Sequence, residues 1–123
     1  MRSIWATDRD VRFVGFPRPV KLPPIIVGMN SMALAVRSGQ MADGVNTRFN
    51  HPERAALLAA AREASGNRPG FDLSVWSWFE PEYADADHPF HKELTADGVT
   101  RLIMFQRGAP DVAAIASTAK YLR

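Results

Sequence analysis

What most constrains this chain is a strand pattern followed by a helix pattern, repeated four times from Ile25 onward. Ile25-Ile26-Val27 is a short β-branched run ending at Gly28, as expected of a strand buried on both faces. Asn30 or Ser31 can cap a helix through Met32, Leu34, Ala35 and Val36, which Gly39 weakens or ends. Ala42-Asp43-Gly44-Val45-Asn46-Thr47 offers a second strand. A second helix is expected over 52 to 64, with Asn50 as N-cap, Pro52 in the first turn and Glu53 at N3 of a capping box. Leu57, Leu58, Ala61 and Ala64 share one of its faces, and Gly66 supplies the stop.

The third strand, Phe71 to Phe79, alternates most clearly. Phe71, Leu73, Val75, Ser77 and Phe79 fall on one face and Trp76 and Trp78 on the other. One set should therefore meet the helices and the other the opposite side of the sheet. Turn residues at Pro81 and from Asp85 to Pro89 precede a short helix with Phe90 and Leu94 at i and i+4. A fourth strand is expected over 99 to 105. A last helix, 111 to 121, carries Val112, Ile115, Ala119 and Leu122 on one stripe.

Strand then helix, four times over, implies an α/β fold with a parallel sheet. Strand starts near residues 25, 43, 72 and 99 have the spacing of (β/α) barrel units. A complete TIM-type barrel needs eight units and about 250 residues. Four units make half a barrel. Residues 1–24 read differently: Pro17, Pro19, Pro23 and Pro24 oppose helix and interior strand alike, so an N-terminal excursion is expected, a short strand or hairpin leading into an extended connector. Residues 25–123 form the half-barrel.

Composition narrows the class. A hydrophobic fraction of 46% is that of a folded domain, and the absence of cysteine excludes disulfides and thiolate metal sites. A net charge of +2, with scattered basic residues, argues against a nucleic-acid partner. No run approaches the roughly 18 apolar residues of a membrane span, and the N-terminus lacks a signal peptide's apolar core. A cytoplasmic protein without a membrane partner is expected.

Pro23-Pro24-Ile25-Ile26-Val27-Gly28, then Ala33-Leu34-Ala35, then Ala42-Asp43-Gly44-Val45-Asn46, resembles the second half of luciferase-like monooxygenases. These are flavin- or deazaflavin-dependent oxidoreductases that include bacterial luciferase. Thr95-Ala96-Asp97-Gly98-Val99-Thr100-Arg101-Leu102-Ile103 is similar to the family's final strand. Ser3-Ile4-Trp5 followed by Val11-Arg12-Phe13-Val14-Gly15 is similar to the excursion before its Pro-Pro strand. The resemblance implies an oxidoreductase component whose cofactor is FMN or the deazaflavin coenzyme F-420.

In a (β/α) barrel, function sits in the loops at the C-terminal ends of the strands. The loop from Gly28 to Ser31 can present amides at a helix start, where an anion is favoured. The resemblance gives Gly28, Met29, Asn30 and Ser31 a part in holding the cofactor phosphate, although relatives often carry a second glycine where Met29 or Asn30 stands. Asn46, ending the second strand, is a candidate for contact with the ring or substrate. The family's catalytic residues come mostly from the other half of the barrel, so none is assigned. Asp43-Gly44 reads as a turn, His51 as a solvated first-turn residue, and His88-x-x-His91 as a loop-to-helix junction rather than a metal site.

Two open sheet edges and an uncovered face imply a partner, either a second copy or a complementary N-terminal half-barrel chain. A non-catalytic half-barrel that dimerises, and a small α/β interaction domain without cofactor, fit the same pattern.

Overall fold

Each pair of neighbouring parallel strands needs a crossover, and the helices between the strands supply it. The computed structural model describes residues 22–109, 111–113 and 116. Within them, β1 (Ile26–Gly28), α1 (Met32–Met41), β2 (Gly44–Arg48), α2 (Arg54–Ala64), β3 (Asp72–Trp78), α3 (Pro89–Ala96) and β4 (Arg101–Phe105) follow one another, with a 3₁₀ turn at Pro81–Ala84. The expected 1–21 part of the connector lies outside the described residues, as does most of the expected last helix.

The sheet order is β1-β2-β3-β4 and every pairing is parallel. Val45 sits beside Leu73, and Val75 beside Leu102. The winding direction never reverses. Right-handed crossovers then carry successive helices to the same face, unlike a doubly wound sheet. That face holds the core: Ala35 of α1, Leu57, Leu58 and Ala61 of α2, and Phe90 and Leu94 of α3 pack on Val45, Leu73 and Val75. The described residues thus form an open, four-stranded, singly wound α/β sheet. None of their helices is long and apolar enough to cross a membrane.

Three local expectations are corrected. Gly39 does not end α1, which continues to Met41. Its role is packing: a Cβ there would run into the Ala61 carbonyl and lie 2.8 Å from the Ala64 Cβ. The second helix starts at Arg54 rather than 52, and Asn50 is not its cap. Instead the Glu53 amide donates to His51 Nδ1 at 3.1 Å and the Arg54 amide to the His51 carbonyl at 3.0 Å. The Arg54 side chain holds that turn by donating to the Phe49 carbonyl at 2.6 Å. Finally, β2 runs from Gly44 to Arg48. Asp43, just before it, bonds Ile25 and Asp72 through its backbone, and its carboxylate accepts from the Ile25 amide at 2.7 Å.

Residues of opposite parity point to the sheet's other face, which no described helix covers. Asp72 pairs with Arg101 there at 2.6 Å, and Asn46 Nδ2 donates to Ser74 Oγ at 3.0 Å. Nearer the C-terminal ends, Trp76, Trp78 and Phe105 meet edge to face, with centroids 5.6 to 6.2 Å apart. Trp78 is 40% exposed and Phe105 48%. The alternation in the third strand therefore sorts as expected: Phe71, Leu73 and Val75 into the core, the tryptophans opposite.

Candidate functional site

The C-terminal ends of β1 and β2 open into a cleft of about 660 Å³. Gly28, Met29 and Asn30 line one side, Asn46, Thr47 and Arg48 the other, and Leu34, His51 and Trp76 complete it. A Cβ on Gly28 would meet nothing within 4 Å, so this glycine borders open space rather than close packing. A second cleft of about 270 Å³ adjoins the first, sharing Arg48 and Trp76, and extends to Trp78 and Tyr83.

Four of the five residues expected to hold a cofactor line the first cleft, but not in equal roles. The Met29 amide is not free: it donates to the Asn46 carbonyl at 2.8 Å, prolonging the β1–β2 ladder, and the Met29 side chain is buried in the core. That corrects its expected part as an anion-binding amide. Asn30 and Ser31 differ. Both are exposed, and no hydrogen bond from either amide occurs among the described residues. Ser31 is the N-cap of α1; its extended backbone (φ −149°, ψ 153°) leaves the carbonyl to accept from Ala35, and its hydroxyl makes no capping bond. Unpaired amides at the start of a ten-residue helix favour negative charge. Asn46 does not end β2, which runs on to Arg48; from the middle of the strand it donates to Ser74 Oγ and contributes its remaining surface to the cleft.

Nothing in the sequence pattern singles out Thr47. This residue is 2% exposed, and among the described residues its Oγ1 has no hydrogen-bond partner. Leaving a buried hydroxyl unsatisfied costs about 1–3 kcal/mol. Strand alternation alone makes Thr47 one more inward-facing β-branched residue, so only its surroundings reveal it. His51, read as solvated, also lines the cleft. Because its Nδ1 accepts from Glu53, the neutral ring carries its proton on Nε2 and keeps one donor. Arg48 is exposed and makes no ion pair among the described residues.

The cleft thus combines a helix N-terminus, an orphaned hydroxyl, an imidazole N–H and a guanidinium beside an indole. Such a set suits a ligand with an anionic group and a flat apolar part. His88 and His91 are engaged elsewhere: His88 Nδ1 accepts from the Phe90 amide at 3.2 Å as the α3 N-cap, and His91 Nε2 lies 2.6 Å from the Tyr83 carbonyl. Comparisons with models of protein families, with curated proteins and with solved structures found no match for the chain.

Proposed function

We propose that this chain is a component of a luciferase-like monooxygenase, a half-barrel that contributes part of the phosphate site for FMN or coenzyme F-420. The observation that carries it is the orphaned Thr47 hydroxyl beside the α1 N-terminus, at the strand ends where a (β/α) fold places ligands. A phosphate in the cleft would accept from the unpaired Asn30 amide and balance Arg48. The Ser31 amide adjoins the cleft without lining it, and Thr47 Oγ1, closed to solvent in the free chain, would gain its missing partner once the cleft wall shifts to admit the ligand. Trp76, at the junction of the two clefts, offers a flat surface to a ring system. When bound, the flavin or deazaflavin ring supplies the redox chemistry. The chain's own residues bind the phosphate and orient the ring; the groups that act on substrate come from the partner, either a second copy or a complementary N-terminal half-barrel chain.

Titration with FMN and with F-420, followed by cofactor fluorescence, tests this on the chain alone and with its partner. Saturable binding of one of them, weakened about tenfold by Thr47→Val, is the expected result. A lack of binding in both states overturns the cofactor reading. The exposed Trp78 and Phe105 then favour a half-barrel that dimerises without catalysis.

A further inference from the structure

At the opposite, N-terminal end of the strands lies a cleft of about 410 Å³, formed by the segment between α2 and β3 and the approach to β4. Its charge is one-sided. Among the described residues, Arg62, Arg68 and Arg101 line it against a single carboxylate, Asp72, which is paired to Arg101 at 2.6 Å. Arg62 and Arg68 have no carboxylate partner among the described residues.

Both guanidiniums are nonetheless positioned. Arg62 Nη2 donates to the Gly98 carbonyl at 2.9 Å, and Gly98, with φ +71°, leaves space where a Cβ would sit 3.1 Å from that nitrogen. Arg68 donates to the Ala42 carbonyl and lies over the Phe71 ring, 5.4 Å from its centroid. A guanidinium has five N–H donors, so one bond each leaves most of them unspent. Asn67, held at φ 52°, and the Gly70 amide, which donates to no described acceptor, line the same cleft or its rim. Anchored arginines with spare donors and no counter-charge are what bidentate recognition of phosphate requires.

We infer that this cleft is a binding site for a small phosphorylated anion, separate from the cleft at the C-terminal strand ends. The site is independent of the cofactor reading, since the two clefts share no residue.

Pyrophosphate and inorganic phosphate serve as probes, measured by calorimetry and by amide chemical shifts on the full chain. Saturable binding with shifts confined to residues 62–72 and 98–101 is expected. Arg62→Gln and Arg68→Gln should each weaken it about tenfold, the value of one hydrogen bond to a charged group. Arg37→Gln, on exposed α1 surface away from the cleft, should leave it unchanged. Asn67→Asp adds a carboxylate at the rim in a conformation that aspartate tolerates. It should abolish binding while far-ultraviolet circular dichroism stays native, a check that holds even where an arginine variant fails to fold. Lack of binding at millimolar probe, equal weakening by Arg37→Gln, or full binding by folded Asn67→Asp would overturn the inference.

Discussion

Gly39 of α1 sits against the Ala61 carbonyl of α2 so closely that a methyl group at position 39 would overlap it. The backbone of α2 cannot swing aside like a side chain, so any larger residue must force the helices apart. Gly39→Ala should raise intrinsic helix propensity by about 1 kcal/mol yet destabilise the protein by about 2 kcal/mol net. Urea denaturation at constant m-value measures this; a stabilised variant would show that the helices are not in contact. Gly39→Leu should not fold.

Thr47→Val separates folding from binding. Valine nearly matches threonine in shape and removes the unsatisfied hydroxyl, so stability of the free protein should rise by about 1 kcal/mol. Ligand affinity at the same cleft should fall. A stability loss would mean that the hydroxyl is already satisfied in solution.

The α2–α3 junction should show graded costs. Arg54 and Asp97 are 14% and 13% exposed and meet at 2.6 Å, while Glu93, at 3.3 Å from Arg54, is 58% exposed. Asp97→Ala strands a half-buried guanidinium and should cost about 2–3 kcal/mol. Glu93→Ala removes a solvent-screened partner and should cost less than about 0.5 kcal/mol. Thermal melts of the two variants supply the comparison, and equal costs would refute the ranking.

Association is expected from the sheet itself. β1 and β4 are its edges among the described strands, and the Trp78–Phe105 end of the helix-free face is exposed. Light scattering at micromolar concentration should show a species larger than the monomer, and Phe105→Glu should shift it toward monomer. A wild-type monomer across that range would count against self-association through this face.

Much of the fold was legible in periodicity. Alternation in the third strand separated Leu73 and Val75 from Trp76 and Trp78, and repeated strand–helix spacing implied parallel pairing, as the registers between β1 and β4 show. Those signals are local, because side-chain direction follows from backbone period. The glycines and caps were harder to read. Gly39 has a helix breaker's composition but a spacer's function, which depends on where α2 passes. Asn50 has the chemistry of an N-cap, but Arg54 is drawn to Phe49, Glu93 and Asp97 and the turn closes around His51 instead.

The candidate cleft divides in the same way. By itself the sequence determined the loop Gly28–Ser31, its place after a strand and before a helix, and the side of the fold on which it opens. Only the tertiary structure decided that the Met29 amide is spent on Asn46, that Thr47 is buried without a partner, and that Arg62 and Arg68 converge at the far end of the strands. Periodicity encodes which way a residue faces. Whether a buried donor finds an acceptor depends on atoms that arrive from distant parts of the chain.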